Sequence, residues 1–332
     1  MKIGVMSFAH LHAEAYIHNL RAVPDVELIG IADEEVERGR HFAGLFNANL
    51  FPNYEALLAE RPDGVLVCSE NARHKKLVEL AVEAGVKYIL CEKPLAINLA
   101  ESTDMMEICE QAGVRLMTAF PMRFNTPVLE IKKLLDQDGL GKVFAIKSEN
   151  QGQVPSHHRQ WFVQKELAGG GAVMDHTVHL LDLMRWMMGS EVKEVYAQTN
   201  RIMRGDEVEV ETGGLVMLTF ENGVFASINC SWSRPRRYPT WGGLSMEIIG
   251  ERGVATTDAF RQNITAFGME QAHTVYLPWG SDSNQGLINE FCAAIREQRE
   301  PAVTGFDGHK ALEVVLAAYR SAETGQPVRL PQ

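Results

Sequence analysis

The stretch Lys2-Ile3-Gly4-Val5-Met6-Ser7-Phe8-Ala9-His10-Leu11-His12 decides the fold. Its first five residues read as a buried strand, its small residues Ser7 and Ala9 read as a tight turn, and apolar positions at helical spacing run from about His10 to Val23 before Pro24. A second apolar run, Val26 to Ala32, stops at Asp33. Strand, turn, helix and strand in this order make a βαβ unit.

The same alternation continues outward. Glu34 to Phe46 reads as a helix, Gly64 to Cys68 as a strand, His74 to Ala84 as a helix closed by Gly85, and Tyr88 to Cys91 as a strand. Asn98 to Ala112 is then helical and Arg115 to Ala119 extended. Right-handed crossovers put every strand's carboxyl end on one edge of a parallel sheet, where ligands bind. The reading is therefore an α/β domain over residues 1–121 with Lys93 at the mouth of its crevice.

Beyond Phe120 the period changes to two. Val143–Glu149, Val192–Arg201, Leu215–Glu221, Val224–Ser231, Ser245–Gly250 and Val275–Pro278 read as strands, with turns expected at Glu221-Asn222-Gly223 and Gly242-Gly243. Helices are expected from Pro127 to Leu135, Val173 to Met188, Gln285 to Arg299 and His309 to Thr324, with a loop holding Pro301 and Gly305. Residues 122–332 thus read as an α+β domain with a large, mostly antiparallel open sheet, one face packed on helices.

The 332 residues carry 32 basic and 43 acidic side chains, a net charge of −11, and no basic stripe, which argues against nucleic acid and anionic membranes as partners. Arg234-Pro235-Arg236-Arg237 is the densest cationic spot and reads as a solvated loop or an anion contact. Five cysteines, an odd count without a Cys-x-x-Cys pair, argue against a disulfide framework and for a reducing cytoplasm. Met1-Lys2 leads straight into a strand without a signal-peptide pattern, and no apolar run approaches the ~18 residues of a membrane helix.

A Gly-x-Gly-x-x-Gly turn normally lets a pyrophosphate approach backbone N–H groups at a helix start. Here those positions are Ser7-Phe8-Ala9-His10-Leu11-His12, with no glycine. Two readings stand: the small Ser7 and Ala9 still admit the anion, with Ser7 adding a hydroxyl, or the crevice has lost tight nucleotide binding. Asp33 closes the second strand, where a carboxylate takes the ribose hydroxyls of NAD and repels the extra phosphate of NADP. Its structural alternative is a helix cap before Glu34. His10 and His12 flank the site, either lending positive charge or merely packing.

Cys91-Glu92-Lys93-Pro94 resembles the Glu-Lys-Pro motif of the Gfo/Idh/MocA family of NAD(P)-dependent oxidoreductases, which includes glucose-fructose oxidoreductase and inositol dehydrogenase. Further matches span almost the whole chain: His74 with Ala81…Ala84-Gly85, Arg123-Phe124-Asn125, Gly169-Gly170-Gly171 with Asp175 and His179, and Asp307-Gly308…Ala311-Leu312-Glu313…Ala317-Ala318-Tyr319-Arg320-Ser321-Ala322. The resemblance implies a Rossmann domain with NAD, less readily NADP, held around Ser7, Phe8, Ala9, His10, His12, Asp33, Ser69, His74, Glu92 and Lys93. It also implies a cis bond before Pro94 and a sheet face that forms a homodimer or homotetramer. The family's Asp-x-Gly…His pattern is altered to Asp175-His176-Thr177-Val178-His179, and Thr177 is expected to narrow the pocket.

The implied reaction moves a hydride between NAD(P) and a carbinol or carbonyl of a sugar, polyol or derivative. Asp175 and His179 share one helix face, so the acid can orient an imidazole whose ordinary pKa, ~6.5, suits proton transfer. Lys93 is expected to stabilise charge on the reacting oxygen. Arg123, His157, Arg159, Trp161 and His176 are expected substrate contacts, with Trp161 stacking on a sugar face; the alternative for the histidine loop is plain solvent exposure. A metal site from His157, His158 and His179 is disfavoured, since adjacent histidines seldom share one zinc. The other functional readings are a glycosidase that oxidises transiently through NAD and a sugar- or nucleotide-sensing protein without turnover.

Overall fold

Strand β1 (Lys2–Met6) is central to a six-stranded sheet in which every pair is parallel. The computed structural model describes residues 1–261, 263–266, 275–278 and 280–331. After β1 come α1 (His12–Arg21), β2 (Glu27–Ala32), α2 (Val36–Phe46), β3 (Leu50–Phe51), α3 (Tyr54–Leu58), β4 (Gly64–Val67), α4 (His74–Glu83), β5 (Tyr88–Cys91), α5 (Leu99–Ala112) and β6 (Arg115–Thr118). The order across the sheet is β3-β2-β1-β4-β5-β6. It reverses between β1 and β4, the switch point at which a doubly wound sheet opens a crevice.

The strands β4 and β5 are buried on both faces, as a parallel sheet covered by helices requires. Two elements were invisible to pattern reading. Strand β3 has two residues, too few for any period, and α3 is one short helix capped by the Asn53 side chain, which accepts from the Ala56 N–H at 2.8 Å. Helix α1 begins at His12 rather than His10, because His10 donates its backbone N–H to Cys68 across the sheet and is held in the turn.

The second half holds α6 (Thr126–Asp136), β7 (Val143–Gln153), the short α7 (Lys165–Ala168), α8 (Ala172–Met188), β8 (Val192–Asn200), β9 (Gly213–Phe220), β10 (Phe225–Arg234), β11 (Gly242–Gly250) and β12 (Gly253–Asp258). Strands β13 (Asn263–Ala266) and β14 (Val275–Pro278), helices α9 (Ser283–Glu297) and α10 (Gly305–Thr324), and β15 (Val328–Arg329) complete the chain. A seven-stranded sheet runs β12-β11-β7-β10-β9-β8-β15, antiparallel except for the β10–β7 pair.

Two expectations are corrected here. Gly242-Gly243 is not a turn but the start of β11, where a Cβ on Gly243 would overlap the Arg234 guanidinium. Helix α10 starts at Gly305, not His309, since its bare Cα lets the first turn lie against Leu116.

The chain divides into two compact units. One comprises residues 1–121, 156–169 and 284–312; the other comprises residues 122–155, 170–283 and 313–332. In the first, Phe291 and Ile295 of α9 lie on β4 at Gly64, a position with no room for a side chain. In the second, α8 lies against β7, β9 and β10. Arg123 and Asp182 form a buried two-pronged ion pair there, at 2.8 and 2.5 Å.

Removing one member of a buried ion pair strands the other without compensation. Arg123→Met is expected to destabilise the protein by about 3–5 kcal/mol in urea unfolding, and Asp182→Leu added to it is expected to recover most of the loss. An unchanged unfolding midpoint in the single variant contradicts this assignment.

Candidate functional site

The turn after β1 satisfies its own backbone. Ser7 takes a positive φ of 74°, the conformation a first glycine normally supplies, and its N–H donates to Ala32. Phe8 donates its N–H to Asp33 Oδ2 at 2.7 Å while its ring stacks on Phe42 in the core. The Ala9 N–H goes to Ser7 Oγ, that of His10 to the Cys68 carbonyl, and that of His12 to His10 Nδ1. Leu11 is the one residue from Ser7 to His12 whose N–H has no acceptor among the described residues.

Beneath the turn lies Glu92, at the carboxyl end of β5 and fully buried. His12 donates Nδ1–H to its Oε1 at 3.1 Å, the Lys93 N–H reaches Oε2 at 3.1 Å, and His10 Nε2 stands 3.6 Å from Oε2. Burial by itself pushes this carboxyl up, yet the two histidines hold it well below the usual carboxylate range. His10 goes the other way: burial drives its imidazole far below the ordinary value, against the pull of Glu92.

The ligand-type atoms of His10, His12 and Glu92 lie within 4.8 Å of one another, close enough for one ion. Proton placement argues otherwise. A metal-bound imidazole carries its proton on the nitrogen away from the ion, whereas His10 Nδ1 accepts from a backbone N–H and so leaves the proton on Nε2, facing Glu92. The cluster is built as a buried carboxylate with N–H donors around it.

At the end of β2, Asp33 is enclosed. Its Oδ1 accepts from the Glu35 N–H and Arg38 Nη2, and its Oδ2 from the Phe8 N–H and Arg38 Nε, at 2.7 to 2.9 Å. With the Ser7 hydroxyl also donating to Oδ2 at 3.5 Å, these donors fill the roughly four lone-pair sites of a carboxylate. The forked guanidinium of Arg38 thus occupies the directions in which a ribose diol would donate. Sequence reasoning missed Arg38, although its position in the first turn of α2 was the available signal.

Other expected cofactor residues are near by and buried. Ser69 donates Oγ–H to the Glu70 carbonyl, and His74 directs Nδ1 at the Pro94 and Leu95 carbonyls, bracing the loop after Lys93. The Lys93–Pro94 peptide is cis, as the sequence resemblance led one to expect. Lys93 is 4% exposed, and its charge is felt by His10.

Trp161 and Arg159 belong to this first unit. The Trp161 indole N–H donates to the Ala9 carbonyl at 2.9 Å and its ring stacks on Phe162, leaving it 6% exposed and no platform for a sugar. Arg159 reaches Glu14 at 3.0 Å, so the loop at 156–169 is fastened to the turn by Trp161 and to α1 by Arg159. His157 is exposed, with its ring tilted against that of His158 at 4.0 Å between centroids.

In the second unit, α8 carries Asp175, His176 and His179. Its amino end is fixed by Glu211, whose carboxylate accepts from the Gly171 and Val173 N–H groups and from the Tyr319 hydroxyl at 2.7 Å. Burial raises the Glu211 carboxyl, and these donors oppose that rise. The glycine run is explained by the same contact: a Cβ on Gly170 would overlap Tyr319, and one on Gly171 the Glu211 carbonyl. Asp175 accepts from the Trp232 indole at 3.2 Å and stands 3.7 Å from His176 Nε2. His176 is buried against Gly152, where a Cβ would come within 2.9 Å of its ring. Thr177 is an ordinary buried helical residue whose hydroxyl donates back to the Val173 carbonyl, so it needs no positive φ. Glu211, Tyr319 and Trp232 were not singled out from sequence, because nothing local marks a carboxylate that caps a distant helix.

The sheet order, the positive φ at Ser7 and the carboxylate ending β2 fit a dinucleotide; of the N–H groups from Ser7 to His12, that of Leu11 alone is left without an acceptor among the described residues. Residues 2–120 match a family described as an oxidoreductase family with an NAD-binding Rossmann fold, and residues 128–256 match the GFO/IDH/MocA C-terminal domain. Myo-inositol 2-dehydrogenase of Thermotoga maritima is 30% identical, the alignment covering 100% of this chain and 99% of that one. D-apiose dehydrogenase of Paraburkholderia graminis is 28% identical over 98% of this chain and 88% of its own. The fold is shared with the crystal structure of GenD2 from gentamicin A biosynthesis in complex with NAD, with a TM-score of 0.91 at 24% identity over 100% and 97% of the two chains. No helix among the described residues is long and apolar enough to cross a membrane. The chain belongs to the GFO/IDH/MocA oxidoreductase family, with its NAD-binding Rossmann fold followed by the family's C-terminal domain.

Proposed function

We propose that this protein interconverts a secondary alcohol and a ketone on a sugar, polyol or sugar derivative, with NAD as its preferred cofactor. The observation that carries the reading is Lys93, buried at the carboxyl edge of a sheet ordered 3-2-1-4-5-6. Relatives named for myo-inositol and D-apiose, both polyhydroxylated, support the substrate class. Bound NAD supplies the hydride acceptor.

Residues 1–121 serve the dinucleotide and residues 122–332 the substrate and self-association. Lys93 donates a hydrogen bond to the reacting oxygen, and His179 takes the hydroxyl proton, with Asp175 on the same helix face favouring the imidazolium. His176 and His157 contact the substrate. Arg123, committed to Asp182, Arg159, committed to Glu14, and Trp161 act by holding structure in place. Five buried free cysteines fit a reducing cytoplasm. Exposed Leu215, Met217 and Phe225 on β9 and β10 fit burial against a second copy, as a dimer or tetramer. The turn, with every N–H from Ser7 to His12 except that of Leu11 already engaged, is the feature that favours a sensing protein without turnover.

Lys93→Met and His179→Ala are each expected to lower kcat by about 10²–10⁴-fold on a polyol found by screening for NAD reduction, with circular dichroism unchanged. Wild-type turnover in both variants contradicts the assignment. A second outcome concerns Asp33: Arg38→Ala frees the carboxylate for the ribose and is expected to raise the ratio of kcat/KM for NAD over NADP several-fold, whereas Asp33→Asn is expected to lower it. An unchanged ratio in both variants contradicts a role for this pair in cofactor choice.

A further inference from the structure

If a dinucleotide lies across the turn, its phosphates find few donors there. The N–H groups of Ser7, Phe8, Ala9, His10 and His12 already have acceptors, and the usual glycine-lined nest of amides is missing. One side chain is built to replace it. His12 opens α1, its side chain is 25% exposed, and its Nδ1–H is tied to the buried Glu92 carboxylate. That bond engages Nδ1 and leaves Nε2 as the other nitrogen of the ring.

We propose that protonated His12 is the phosphate-binding group of this turn, so that affinity for a pyrophosphate ligand falls as pH rises through the histidine range. The proposal rests on the dinucleotide reading above. With Nδ1–H on Glu92, protonation adds an Nε2–H that donates to a phosphate oxygen, while the Glu92 anion balances the new charge. Deprotonation turns Nε2 into an acceptor that repels the same oxygen.

Burial lowers the pKa of both His10, in edge contact with the His12 ring at 4.4 Å, and His74 on α4. Tyr16 on α1 is pushed up by burial, first, and by the Glu92 charge. Glu92 stays ionised, Lys93 follows it in the chain, and Glu14 on the first turn of α1 is paired with Arg159. Histidine is the side chain whose ordinary titration lies between pH 5 and 8.

The test is calorimetric titration of the intact protein with NAD, with ADP-ribose as the phosphate-bearing fragment and adenosine as the phosphate-free one, from pH 5.5 to 8.5. Wild-type Kd for NAD and ADP-ribose is expected to rise about tenfold or more across this range, while adenosine binding stays level. His12→Gln is expected to bind NAD weakly at every pH. His12→Arg, which keeps a cation beside Glu92, is expected to bind tightly at every pH. A level wild-type profile with measurable NAD binding, or a slope that survives in His12→Gln, overturns the proposal. Absence of NAD binding at every pH overturns the dinucleotide reading and this proposal with it.

Discussion

A carboxylate buried at the carboxyl edge of a parallel sheet is the constraint on which the first unit depends. Taking an ion out of water costs several kcal/mol unless donors replace the lost hydration. Glu92 meets that requirement with the His12 imidazole and the Lys93 N–H, while the His10 ring presents its Nε2 from 3.6 Å. The price of burying one charge is therefore a fixed geometry: the turn after β1 is tied to the end of β5, and Lys93 is set where that strand stops. Trp161 extends the same construction by holding the Ala9 carbonyl from the loop at 156–169.

The second unit solves a related problem with different residues. The amino end of α8 has N–H groups that no helical carbonyl can reach, and Glu211 accepts two of them while Tyr319 holds Glu211 in turn. Because a Cβ cannot fit at Gly170 or Gly171, the helix start comes close to both partners. Further along, Asp182 anchors the helix to Arg123. Asp175, His176 and His179 ride on an element fixed at both places.

Much of this was legible in the sequence because it is periodic. The parallel strands are short apolar runs, the second sheet alternates, and the lysine before Pro94 marks the edge where chemistry is expected. What escaped reading depends on contacts remote in the chain or on elements too short to have a period. The two residues of β3 carry no pattern, and Gly242-Gly243 looked like a turn because the close approach of Arg234 is not written locally. Trp161 looked like a sugar platform, yet its indole is used by a carbonyl 152 residues earlier. Asp33 was recognised for its position, but Arg38, which fills its lone pairs, was not. The glycine-poor turn was seen as tolerable on side-chain size; the limiting quantity is the supply of unengaged N–H groups.

The account stands on a dinucleotide occupying the carboxyl edge of the six-stranded sheet between β1 and β4. A crystal structure grown with saturating NAD measures this directly. The account predicts the adenosine ribose on Asp33 with Arg38 displaced, and a phosphate oxygen within hydrogen-bond distance of His12 Nε2. Density for the dinucleotide away from that edge, or Arg38 still clamped on Asp33 with the ribose elsewhere, would contradict it.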